Sequence, residues 1–152
     1  MIDIQPFDPN ACAELWQVYF SAVHRVCCKD YTPAQINAWA PPDFDLDIYR
    51  TKLQAIRPVI ARKGDQVCGY ADLQTSGLID HFFVHADFQR QGVGRALMMH
   101  LRKQRAAGMQ VHSHVSITAR GFFEAQGFTV STEQHVTVRG VTMQNYLMTS
   151  LF

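Results

Sequence analysis

Long apolar runs are missing from this 152-residue sequence: none approaches the 18 residues that a membrane-spanning helix needs. Cysteine is sparse. Cys12, Cys27, Cys28 and Cys68 form no CxxC pair, which argues against a thiol-bound metal or a disulfide framework and for reduced thiols. Charge of one sign is also missing, because 14 Lys and Arg offset 13 Asp and Glu to leave a net +1, so no global pull toward nucleic acid or a membrane surface is expected. The seven histidines show no ligand spacing; His112 and His114 share a strand face but make a single pair, and no metal is expected. The opening MIDIQPFDPN carries acids and no cationic stretch followed by an apolar one, so no signal peptide is expected and a cytoplasmic protein is. One absence is local: from Phe88 to Phe123 there is no Asp or Glu, while Arg90, Arg95, Arg102, Lys103, Arg105 and Arg120 all fall inside that window.

What is present is a 47% hydrophobic composition, enough to fill one core, and no linker or repeat that would divide residues 1–152 into more than one domain. The residues up to Phe7 alternate like a short strand, and Asp8-Pro9 supplies a helix cap and first residue. Leu15, Val18, Tyr19, Ala22 and Val26 then recur at helical spacing as far as about Cys27. Thr32 and Gln35 make a capping box for a second helix that ends before Pro41-Pro42, and a third helical signal covers Asp45 to Gln54. Strands are predicted over 58–62, 66–74 and 78–84, a helix from Val93 to about Ala107, a strand over 111–115, and a short helix over 118–125. A closing hairpin over 128–138 and 141–148 turns at Arg139-Gly140. The order predicts an α/β (α+β) fold with a mixed, mostly antiparallel sheet of about seven strands flanked by four to five helices.

The run QRQGVGRAL, from Gln89 to Leu97, places two glycines and two arginines between a predicted strand and a predicted helix, an arrangement suited to an anion held by backbone N–H groups. A nucleoside-triphosphate loop would need a lysine that is missing. A dinucleotide loop would need a third small residue where Leu97 stands and an acid about 20 residues later, inside the acid-free window. Gln89, Gly92 and Gly94 instead match Gln/Arg-x-x-Gly-x-Gly/Ala. With Ser116, Ala119, Phe123, Gly127 and Phe128 at the intervals of a second motif, the chain resembles the GCN5-related N-acetyltransferases over nearly its whole length. YTPAQINAW (Tyr31 to Trp39), VSITARGFFEAQGF and RGVTMQNYLM are similar to a small bacterial, YafP-like subgroup of that family.

The resemblance implies an acyltransferase that moves the acetyl group of acetyl-coenzyme A to a primary amine of a small molecule or peptide by direct attack. The cofactor side would comprise Gln89, Arg90, Gln91, Gly92, Val93, Gly94 and Arg95 at the pyrophosphate, with Phe83, Val84, Ser116 and Phe123 along the pantetheine arm. Leu78 stands where the family's usual Glu base would be, and Asp80, one alternation on, is the candidate base. Phe123 replaces the Tyr that many members use to protonate the thiolate, which leaves Tyr31, Tyr146, Cys27, His114 or water, with Tyr146 or water preferred. Tyr31, Trp39 and Phe82 are assigned to the acceptor, and His81 to a structural or surface role. The two substitutions, Leu78 and Phe123, also raise the alternative of an acyl-coenzyme A sensor with weak catalysis. A homodimer is left open.

Overall fold

The computed structural model describes residues 1–152. Its eight strands form two four-stranded sheets. The first has the order β1 (Asp3–Gln5), β2 (Val59–Lys63), β3 (Gln66–Ala71) and β5 (Phe82–Val84), antiparallel throughout. The second has the order β4 (Leu78–Ile79), β6 (Gln110–Ser116), β8 (Val141–Leu151) and β7 (Thr129–Val138), antiparallel except for the parallel pair of β4 with β6. Seven predicted strands become eight because residues 78–84 are divided between the sheets.

The division has a local cause. Asp72 is only 2% exposed, and its Oδ1 accepts the backbone N–H groups of both Asp80 (2.9 Å) and His81 (2.7 Å). Two consecutive amides turned toward one carboxylate oxygen cannot also alternate across a strand ladder. Leu78 and Ile79 therefore pair with His112 and Ser113, where Ser113 Oγ donates to the Ile79 carbonyl at 2.8 Å, and Phe82 to Val84 pair with Ala71 to Gly69. Beyond that point β5 and β6 belong to different sheets, and the fold has a fork.

Five α-helices cover the sheets: α1 (Cys12–Ser21), α2 (Pro33–Trp39), α3 (Leu46–Ile56), α4 (Val93–Gln104) and α5 (Arg120–Ala125). The predicted starts hold where a side chain caps them. Asp8 accepts from the Asn10 N–H, Asp45 from the Asp47 N–H, and Thr32 and Gln35 cap each other reciprocally. The first helix departs from its predicted regular run to Cys27, since residues 22–26 form a wider π turn before a 3-10 turn over 27–29. α4 stops at Gln104, short of the predicted Ala107, and the turn that follows is closed by the Gly108 N–H on the Phe152 carbonyl.

Alternation along β2 sorts the core: Val59 and Ala61 join the cluster built on α4, with Leu97, Met98 and Leu101, while Ile60 joins Leu15, Val18 and Leu53 under α1 and α3. A third cluster, with Val23, Tyr31, Ile36 and Met143, seats α2 against the closing hairpin. These packed faces hold the fork open from three sides. No helix is long and apolar enough to cross a membrane.

Candidate functional site

The glycine loop leaves the end of β5 and is stitched by its own glutamines. Gln89 Nε2 donates to the Val84 carbonyl at 2.9 Å and Gln91 Nε2 to the Asp87 carbonyl at 3.2 Å, while Lys63 Nζ donates to Gln91 Oε1 at 2.9 Å. The backbone then passes through left-handed conformations at Arg90 (φ 63°) and Gly92 (φ 85°) to enter α4. The two glycines serve different needs. A side chain at Gly92 would meet only open space, so its conformation is what requires glycine, whereas a Cβ at Gly94 would come within 3.1 Å of the Phe122 ring. None of the seven backbone N–H groups from Gln89 to Arg95 has an acceptor within the protein. Together with the positive end of α4 and the exposed Arg90 and Arg95, they present donors and charge of the kind that suits an anionic group such as a pyrophosphate.

On the other side of β5 lies a cavity of about 240 Å³, lined by Trp16, Tyr19, Trp39, Phe44, Tyr49 and His81 among others. His81 Nδ1 lies 2.9 Å from the Tyr70 hydroxyl, which lies 2.7 Å from that of Tyr49. Burial lowers the His81 pKa to about 4, against the pull of neighbouring Asp80 and with a smaller push from Lys52. The ring is therefore neutral at pH 7, and its Nε2 has no partner within the protein. Asp80 forms an ion pair with Lys52, which lines the same cavity from α3. A neutral imidazole beside an ion pair, in an aromatic chamber, can accept the proton that an amine nitrogen sheds as it forms a new bond.

The residues that the sequence points to do not all meet here. Gln89 to Arg95 form the loop, and Phe83 and Val84 are the β5 strand that leads into it. Ser116 Oγ is occupied with the Ala119 N–H at 3.0 Å, at the entry to α5. Phe123 is 3% exposed and packs edge-on against Phe82 and Phe128.

Phe82, expected beside the acceptor, lies on the face turned toward α4. The break at Asp80-His81 shifts the alternation by one, so Ile79 and Phe82 both pack into the α4 cluster, and Phe83 packs on Tyr19, Trp39 and His81. Trp39 does line the cavity. Tyr31 works as a brace: its hydroxyl donates to the Gln144 carbonyl at 2.6 Å and accepts the Ile117 N–H at 2.9 Å, which occupies its proton. Tyr146, on β8 opposite Val115, accepts from Gln144 Nε2 at 3.0 Å and keeps its own proton free, under the Arg120 guanidinium at 4.6 Å.

Of the other potential proton donors, burial pushes the Cys27 thiol up to about 11, and His114 is engaged by Gln134 on the surface. His81, expected to have a structural or surface role, lines the cavity while its Nδ1 is held by Tyr70. Asp72 belongs to no motif, and its one signal in the sequence is that of a lone carboxylate placed eight residues before Asp80. No group of three or more His, Cys, Asp or Glu side chains is placed to hold a metal ion.

Comparison with known proteins joins these observations. Residues 27–150 match the model of the acetyltransferase (GNAT) domain. The uncharacterized N-acetyltransferase YafP of Escherichia coli K12 is 31% identical over 147 residues, covering 97% of this chain and 94% of the relative. Among solved structures, a GCN5-related N-acetyltransferase from Rhodopseudomonas palustris superposes with a TM-score of 0.92 at 25% identity, over 99% of this chain and 95% of that one. The PaiA N-acetyltransferase of Thermoplasma acidophilum, solved with coenzyme A, shares the fold with a TM-score of 0.73 at 12% identity, over 100% of this chain and 99% of that one.

Proposed function

The chain belongs to the GCN5-related N-acetyltransferase family, and from that premise we propose that residues 1–152 act as one domain that transfers the acetyl group of acetyl-coenzyme A to the primary amine of a small molecule. The observation that carries this reading is the row of seven unpaired N–H groups at the mouth of the fork. Backbone donors from Arg90 to Arg95 hold the pyrophosphate, and the exposed guanidiniums of Arg90 and Arg95 add charge. The β5 edge at Phe83 and Val84, freed from β6 by the fork, receives the pantetheine arm and points the thioester toward the aromatic cavity.

An amine with a solution pKa of about 10.4 enters mostly protonated. That proton is lost to water, and His81, neutral and with Nε2 free, takes the second proton, which the nitrogen sheds once the new C–N bond makes it acidic; Asp80 acts through His81, since its charge favours the imidazolium that forms. The nitrogen lone pair forms the C–N bond to the acetyl carbonyl carbon as the C–S bond breaks and its electron pair leaves on sulfur. Tyr146 or water supplies the proton that the thiolate takes up, and the His81 imidazolium gives its proton back through solvent to restore that donor. Phe123, buried among rings, has no part in that transfer.

The test is thermal unfolding with acetyl-coenzyme A, alongside release of free thiol in the presence of amines. At about 100 times the dissociation constant, ligand linkage adds about 2.7 kcal/mol, which raises the midpoint by several degrees. A shift, with amine-dependent thiol release that drops in His81→Gln, supports the proposal. No shift at millimolar acetyl-coenzyme A overturns it.

A further inference from the structure

Charge around the aromatic cavity does not balance. Lys52 is paired with Asp80, and His81 is neutral. Arg139, which reaches the cavity from the exposed turn between β7 and β8, has no carboxylate partner. Its Nη1 donates to the Ala38 carbonyl at 2.7 Å, and its guanidinium carbon lies 4.9 Å from the centre of the Phe44 ring. A guanidinium has five N–H donors in a planar fork, and one of them is used here. The backbone carbonyl and the aromatic ring thus fix the group at the cavity wall while most of its donors stay available.

The rest of the lining is aromatic. Trp16 stacks on Phe44 with ring centres 5.6 Å apart and meets Tyr49 edge-on at 5.0 Å, and Trp39 completes the wall with Tyr19. Such a surface receives a planar ring. A single uncompensated cation favours a ligand with one negative charge and disfavours polycationic amines. A volume of about 240 Å³ suits one ring with its substituents rather than a folded protein segment.

We propose that the acceptor is a small aromatic zwitterion, an amine carrying both an aromatic ring and a carboxylate, and that Arg139 receives the carboxylate while the amine faces His81. This inference rests on the acetyltransferase reading of the same site and narrows it from primary amines at large to amino acids with an aromatic side chain.

Both tryptophans of the chain line this cavity, so intrinsic tryptophan fluorescence reports on it directly. The probes are phenylalanine and phenethylamine, which share ring and amine and differ in the carboxylate. Phenylalanine is expected to quench the emission and to bind about tenfold or more tightly than phenethylamine, the size of effect a charge-assisted hydrogen-bond pair gives. In Arg139→Gln the preference should vanish by loss of phenylalanine binding, with phenethylamine bound no more weakly than by the parent. Arg139→Lys, which keeps the charge without the fork, should restore part of it. A merely structural role for Arg139 would weaken both probes alike. Equal binding of the two probes, a preference that survives Arg139→Gln, or no quenching by millimolar phenylalanine would overturn the inference. The acetyl-coenzyme A shift measured on the same samples separates the two levels: a shift without carboxylate preference sinks this inference alone, and no shift sinks the transferase reading.

Discussion

From Gln89 to Arg95 the backbone does the presenting, with seven N–H groups left open while Gln89 and Gln91 spend their side chains holding the loop together. Around His81 the roles are reversed. There the backbone is consumed, with the N–H groups of Asp80 and His81 on Asp72 and the His81 carbonyl on the Asp72 N–H, and the side chains face the cavity. The difference explains how one fold can keep a common donor and vary its acceptor. Backbone donors depend on a path through φ/ψ space that a few residues set, and most loop side chains can change without altering them. A chamber of side chains changes character with each substitution.

Asp72 sits where the two regions meet, and removing it should have the largest effect. Asp72→Ala leaves two partly buried N–H groups without their acceptor, which costs about 2–5 kcal/mol, and the denaturant midpoint should fall accordingly. Asp72→Asn keeps an acceptor oxygen and should lose clearly less. Acetyl-coenzyme A affinity and amine acetylation should both suffer in the alanine variant, because the fork orients both sides. An Asp72→Ala protein with unchanged stability would show that the strand break is set elsewhere.

Next in size is a pH effect confined to the cavity side. The folded pKa of His81, about 4, lies below its ordinary value of about 6.5, so the unfolded chain binds the proton more readily. His81 therefore contributes stability that is intact above about pH 6.5 and is lost as pH falls toward 4, a loss of about 2–3 kcal/mol. Burial raises Asp72, which works in the opposite direction at the acid end, so the measurement is the difference between the parent and His81→Gln. The parent should lose stability between pH 6.5 and 4.5 and His81→Gln much less. Parallel pH curves would contradict a buried, neutral His81.

The smallest effect belongs to the loop's side chains. Arg90→Gln with Arg95→Gln should leave stability within about 0.5 kcal/mol, since both residues are exposed. Acetyl-coenzyme A should bind several-fold more weakly, and the remaining affinity should depend less on salt. A complete loss of binding would mean that side chains and not backbone carry the anion.

Much of this molecule is legible in residue spacing alone. Asp8, Thr32 with Gln35, and the run from Gln89 to Gly94 each act through neighbours in sequence, so caps and loop can be found from their intervals. The alternation rule fails at one place. It assumes an unbroken strand over 78–84, with Asp80 and Phe82 on one face and His81 on the other, whereas a carboxylate from outside that strand interrupts the ladder and shifts the faces by one residue. Arg139 is visible in the sequence only as a turn residue, because nothing local to Arg139-Gly140 shows that the side chain reaches Phe44 and Ala38.

By itself the sequence determined the elements, their order and the glycine loop, since periodicity, caps and glycine conformations are properties of adjacent residues. Only the tertiary structure decided what the cavity is made of. Asp72 and Asp80, Tyr49 and His81, Phe44 and Arg139 come from separate parts of the chain, and burial, not identity, makes His81 neutral and leaves Arg139 the uncompensated charge.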